Sequence, residues 1–200
     1  MVFLSGTFYE REFQPIRGLW LGERMTLADI LTAYAAGKRD FRGITLEMQT
    51  GFECDLRGAD FSDGCLDNSY LAYAKLQRAN LQRTQLRLSE LSNAQLQAAT
   101  LDRADLSGSN LAYTNLNGAS LQGVNLTEAN LYGANLQRAD LTQANLTGAN
   151  LTGAELTGAI LKDAQLAGCN CFRAQGIDFD KAKCDRTTIY PDGHRNNIPE

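Results

Sequence analysis

From Leu56 to Leu166 every fifth residue is leucine, with Phe61 the one substitute, and the spacing never slips over twenty-three units. The residue two places before each is small, as at Ala59, Ala79, Ala104, Ala134 and Ala164, with Ser, Thr, Gly, Cys or Val elsewhere. A strict period of five excludes the usual elements, because an amphipathic helix needs spacings near 3.6 and a half-buried strand needs two. A backbone that turns a corner every five residues satisfies it. Four such sides close a square coil of twenty residues, with the leucine and the small residue pointing in and the other three positions pointing out. At a strand-like spacing of ~4.8 Å the units make about six coils and a rod of roughly 28 Å.

Glycine recurs two places after the central leucine, at Gly58, Gly108, Gly118, Gly123, Gly133, Gly148, Gly153, Gly158 and Gly168. A type II turn there requires a positive φ. Sides with Arg78, Arg83, Arg103 or Arg138 at that position are expected to use a turn that tolerates side chains.

A solenoid must hide its terminal cross-section. Thr26 and Asp29 stand at capping-box spacing, Leu27, Ile30, Leu31, Tyr34 and Ala35 recur at helical offsets, and Gly37 supplies a stop. This predicts a short amphipathic helix as the N-terminal cap. Arg39 to Leu46 lie in the five-residue register, but Gly51 falls where a large residue belongs, and the pattern locks only from Cys54. Residues 1–24 carry many large apolar groups, interrupted by Pro15, Gly18 and Gly22, and read as short extended pieces or turns. After Leu166 the register decays through Cys171, Phe172 and Gly176. Phe172 to Tyr190 read as a C-terminal cap, with a turn at Pro191-Asp192-Gly193 and a loose end from Asp192. The chain thus divides into 1–40, a repeat region 41–171 and a tail 172–200. The alternative use of a coil end is a homodimer seam.

A net charge of -4 gives no support to direct nucleic-acid binding by counterion release. Nothing reads as a signal peptide or a membrane span, which points to the cytosol. Five cysteines fit reduced thiols better than a disulfide framework. Cys54 should point in and Cys65 out, while Cys169 and Cys171 take the small and central inward slots as core thiols, with Cys184 downstream. The one histidine, His194, lies in a polar tail, so no catalytic residue, cofactor or metal is expected, and the chain reads as no enzyme.

Units such as Ala129-Asn130-Leu131-Tyr132-Gly133 and Ala139-Asp140-Leu141-Thr142-Gln143 resemble the A(D/N)LXX unit of the pentapeptide repeat family. The lead-in from Tyr34 to Gly43 is similar to the stretch that opens many cyanobacterial members. The resemblance implies an all-β solenoid, a right-handed quadrilateral β-helix. It also implies a binding or scaffolding role, since the best understood members bind type II topoisomerases by mimicking DNA.

Residues twenty apart stack on one side, so the surface can be sorted. Side one (Leu56 to Leu156), side two (Phe61 to Leu161) and side three (Leu66 to Leu166) mix acids and bases. Side four, with Leu71, Leu91, Leu111, Leu131 and Leu151, carries Tyr70, Tyr73, Tyr113 and Tyr132, all the tyrosines of the repeat region, and Glu90 as its only charge there. Aromatic enrichment with charge depletion marks an interface. These four tyrosines are therefore the candidate site for an unidentified protein partner. The alternative, a DNA mimic directed at gyrase, needs regular acidic columns; eleven acids against eight bases from Asp55 to Asn170, interleaved, argue against it. Asn rather than Asp precedes most leucines, at Asn110, Asn115, Asn125, Asn130, Asn135, Asn145 and Asn150, which predicts ladders of inter-coil hydrogen bonds.

Overall fold

The structure, a computed structural model, describes residues 25–195. Its backbone is a coil with a twenty-residue period. Parallel bridges join Asp40 to Asp60, Thr45 to Cys65, Thr50 to Tyr70 and Asp55 to Lys75, and the same step repeats every five residues up to Glu155 with Gln175. The pairing is made of isolated bridges, one residue per side and coil, and no longer strand occurs among the described residues. A corner every five residues leaves no room for one. The expected β-solenoid is thus low in strand content and has no extended sheet. The one helix, α1 (Leu27–Ala35), is short, and no helix of the described residues is long and apolar enough to cross a membrane.

Each side repeats one set of hydrogen bonds. The Leu116 N–H donates to Asn135 O of the next coil at 2.8 Å, the Gly118 N–H to Gln137 O at 2.9 Å, and the Ala119 N–H closes the turn onto Leu116 O at 3.0 Å. The leucines and the alanines before them are buried along the bore, Ala159 only in part, and Phe41 and Phe61 stack in adjacent coils at 5.4 Å. Where the small slot holds a hydroxyl, it is satisfied. Ser69 donates to Leu46 O, Thr84 to Phe61 O, Ser89 to Leu66 O and Thr114 to Leu91 O, at 2.8 to 2.9 Å.

The turns differ from the sequence expectation. Every residue two places after the central one has positive φ, including Arg78 (59°), Arg83 (56°), Arg103 (57°) and Arg138 (57°), and the residue before it does not. All sides therefore use type II turns. The reason is the ladder: the Arg83 N–H must donate to Asp102 O as the Gly58 N–H does to Gln77 O, both at 3.0 Å, so the turn is common to all units whatever its side chain. At two of these positions a neighbour also requires glycine. A Cβ at Gly133 would lie 2.8 Å from the Tyr113 ring, and one at Gly108 2.8 Å from Leu88 Cδ2, so the side chain one coil earlier lies over the glycine.

The N-terminal helix matches its signals. Thr26 caps it, its Oγ1 accepting from the Asp29 N–H while Asp29 accepts from the Thr26 N–H, and Leu27 and Ile30 are buried against the first coil. The Tyr34 hydroxyl donates to Arg57 O at 2.8 Å, and the Arg39 guanidinium lies 3.6 Å from the Tyr34 ring centre. The bridge ladder already runs through Asp40, Thr45 and Thr50, so the coil at Gly51 keeps its backbone; only the inward side chain is missing. The reading of residues 1–24 as extended pieces or turns lies outside the described residues.

At the other end the register survives Cys171 and Phe172 and continues to Gln175. The period then shortens, with Gln165 bridging Lys183 and Asn170 bridging Ile189. Buried Thr188 donates to Leu166 O at 2.8 Å, repeating the role of the inward hydroxyls. Phe179 and Tyr190 meet at 4.8 Å between ring centres. The expected loose end at Asp192 is corrected up to Arg195. The Pro191-Asp192-Gly193 turn lets the Tyr190 N–H donate to His194 O, and Arg195 bridges back to Ile189.

Candidate functional site

Side four begins with residues that only position it. Each Asn or Asp before a central leucine accepts the N–H two residues on, as in Ala112 N–H to Asn110 Oδ1 (3.2 Å) and Tyr132 N–H to Asn130 Oδ1 (3.2 Å), which holds the corner that presents Tyr132. On this side the amides also form the expected ladder. Asn150 Nδ2 donates to Asn130 Oδ1 at 3.2 Å, Asn130 to Asn110 at 3.0 Å, and Asn110 to Glu90 Oε2 at 2.8 Å. Partial burial raises the Glu90 pKa, but the hydrogen bonds from Ser92 and Asn110 outweigh it and leave the carboxyl below its usual value. The charge in the middle of this side is therefore tied into the backbone frame, while Glu53 and Arg173 stand exposed at its two ends.

Around that ladder the rings stand outward: Tyr70 is 44% exposed, Tyr73 46%, Tyr113 57% and Tyr132 42%. They form two groups. Tyr113 and Tyr132 meet edge to face at 5.4 Å, and loss of hydration, then the neighbouring Tyr132 hydroxyl, raise the Tyr113 phenol pKa. Tyr70 and Tyr73 surround Phe52, at 6.2 and 5.4 Å between ring centres. Phe52, 50% exposed, was missed in the sequence because its unit has Gly51 in the central slot and looks out of register. Its place, twenty residues before the Leu71 unit, was the signal. Phe172 at the far end of side four was missed for a similar reason, the central slot being Cys171. Between the two groups lies the coil of Glu90, Ser92 and Asn93.

The acids of the other sides join coils or corners. Asp63 pairs with Arg83 and Asp67 with Arg87, each one coil on, while Asp40 and Asp55 pair with Arg42 and Arg57 in their own units. Asp102 accepts from Ser120 and Gln122, and Asp140 from Thr142 and Gln122.

The thiols fall where the register puts them. Cys54 is buried and Cys65 half-buried, and the Cys169 and Cys171 sulfurs lie 3.7 Å apart in the core. Their mutual hydrogen bond and burial push the Cys169 thiol well above its usual value, which keeps it protonated and a poor nucleophile. His194 stands exposed beside Asp192 at 3.1 Å. Among the described residues no group of three or more His, Cys, Asp or Glu side chains could hold a metal ion.

Eight copies of the pentapeptide repeat match the chain across residues 54–90, 89–127, 104–143 and 134–170. HetL, a pentapeptide repeat protein involved in heterocyst differentiation regulation in the cyanobacterium Nostoc, is 30% identical over 86% of this chain and 100% of its own, with a TM-score of 0.37. A pentapeptide repeat protein of the Arabidopsis thaliana thylakoid lumen is 36% identical over 44% of this chain and 65% of its own, with a TM-score of 0.27. QnrB1, a plasmid-mediated fluoroquinolone resistance protein, is 19% identical over 73% of this chain and 82% of its own, with a TM-score of 0.34. Among curated protein sequences none matches closely. Superposition this loose carries no argument, and the repeat itself, matched over more than half of the chain, is what places it. On that match the chain belongs to the pentapeptide repeat family.

Proposed function

We propose that this chain is a non-catalytic interaction solenoid, wound with the right-handed quadrilateral coil of its family, which binds a protein partner through side four. One observation carries the reading: Tyr70, Tyr73, Tyr113 and Tyr132 stand exposed on a side whose central carboxylate, Glu90, is already hydrogen-bonded within the rod. Rigid aromatic rings with little rotamer entropy to lose, along a stretch whose one charge is tied by hydrogen bonds, suit the centre of a protein interface. Under this reading α1 closes one end of the repeat region and the chain after Phe172 closes the other, so association is lateral rather than through a coil end.

The DNA-mimic alternative finds less support. Asp63, Asp67 and Asp102 are engaged with side chains of the next coil and Asp140 with Gln122 of the coil before, which ties these acids into the rod. The test is capture from the source organism's lysate with the wild type, Y113S/Y132S and R78S/R138S as baits. A partner lost only with the tyrosine variant supports side four, and equal capture by all three overturns it. Inhibition of gyrase supercoiling by the pure protein would favour the alternative.

A further inference from the structure

On the reading that side four is the binding side, we propose that the notch between its two tyrosine groups, centred on Glu90, seats an arginine side chain from a basic segment of the partner. Tyr73 and Tyr113 occupy the same turn position two coils apart, with Asn93 between them, so their backbones stand roughly 10 Å apart. That opening admits one long side chain and is too narrow for a helix, about 10–12 Å across. Its floor is made of small residues. Ser92 and Ala112 are half-buried, whereas Ala72, in the coil of Tyr70 and Tyr73, is buried, so the open floor lies between the groups. Tyr113 leans over Gly133, whose Cβ would lie 2.8 Å from the ring, and therefore away from the coil of Glu90.

Charge selects the occupant. Glu90 bridges Tyr70 in the coil before, and its Oε2 accepts from Asn110 Nδ2 in the coil of Tyr113, which places the carboxylate between the two groups. That bond and the one from the Ser92 N–H to Oε1, both 2.8 Å, come from neutral donors. Burial raises the Glu90 pKa and these bonds more than offset it, so the group is charged at neutral pH. Each oxygen has used one acceptor site, and the two sites left match the fork of a guanidinium. Arg87, three residues before Glu90, is held by Asp67 and Gln85 instead. The rings supply the second half of the recognition, because a guanidinium is attracted to an aromatic face. The rod makes that contact within itself, with Arg39 at 3.6 Å from the Tyr34 ring centre and Arg173 at 5.0 Å from that of Phe172.

The test titrates a Gly/Ser peptide carrying a single arginine into the isotope-labelled full chain, read by NMR. The amide signals of Ser92, Asn93 and Tyr113 should shift saturably, and the same peptide with neutral citrulline for arginine should leave them in place. Glu90→Gln should weaken the fitted affinity about three- to tenfold with the thermal midpoint retained. Glu128→Gln, which removes an exposed acid from side three, should leave it unchanged. If E90Q unfolds, Ala112→Leu fills the floor while keeping the charge and should give the same loss. No shift with the wild type, equal shifts with citrulline, an affinity that neither E90Q nor A112L lowers, or equal losses with E90Q and E128Q overturns the proposal. E90Q as a further bait separates the two readings. A lysate partner lost with Y113S/Y132S but kept with E90Q overturns the arginine notch and leaves side four as the binding side, whereas equal capture by every bait overturns side four and the notch with it.

Discussion

Leu27 of α1 fills the inward slot that Gly51 leaves open: a Cβ at Gly51 would lie 2.7 Å from Leu27 Cδ2 and 2.8 Å from Leu71 Cδ2. The first coil therefore borrows its missing core residue from the capping helix. Replacing Gly51 with Leu restores the repeat on paper but puts two side chains in one slot. Overpacking of this kind costs about 1–3 kcal/mol. Gly51→Leu is expected to lower the urea midpoint and to reduce the helical contribution to far-UV dichroism, because α1 is displaced; a more stable variant would show that Leu27 does not hold the slot.

The middle of the bore has no such borrowed residue. Leu116 and Ala119 are each 1% exposed, with coils above and below that cannot close on a void. Leu116→Ala is expected to cost ~2–5 kcal/mol. Ala119→Leu, which overfills the same layer, should cost at least 1–3 kcal/mol, roughly, by strain. Chemical unfolding monitored by dichroism checks both, and a neutral result for either contradicts the inward assignment.

The shared positive φ makes opposite predictions for two similar substitutions. Ala98 sits at φ 54°, a left-handed conformation that disfavours a side chain, and its exchange for glycine should stabilise the rod by about 0.5–1 kcal/mol after the greater unfolded-state freedom of glycine is subtracted. Gly133→Ala meets both the backbone cost and the Tyr113 ring, and should destabilise by about 1–3 kcal/mol. Thermal midpoints of the two variants should move in opposite directions.

Acid sensitivity should reside partly near the C-terminal end. Asp185 is held at a pKa of about 2 against a usual 3.8, first by the Thr187 hydroxyl and N–H, then by Gly168 and Thr188. A carboxylate with a depressed folded pKa stabilises above its unfolded value and loses that contribution as pH falls from about 4 towards 2. Asp185→Asn should therefore lower the urea midpoint at pH 6 and narrow the difference between pH 6 and pH 2.5. An unchanged difference would show that Asp185 does not link folding to protons. Asp40, drawn down to about 2 by Arg42, contributes with the same sign at the other end.

The five-residue spacing by itself determined the rod. Inward leucines, small neighbours, four sides and the stacking of residues twenty apart all follow from it, because a coil closed by short turns puts each residue type in a place set by counting. The same counting placed Tyr70, Tyr73, Tyr113 and Tyr132 on one side and Cys54 and Cys169 in the core. It also put Asn110, Asn130 and Asn150 in one column, where their amides bond from coil to coil. Counting failed where a neighbour in space replaces a neighbour in sequence. That Leu27 substitutes for a side chain at Gly51, that Phe52 belongs with Tyr70 and Tyr73, and that Arg83 adopts the left-handed turn of its glycine counterparts were decided by the tertiary structure. In each case the deciding force comes from another coil or from α1: a filled slot, a ring contact, or an N–H whose acceptor lies about nineteen residues away.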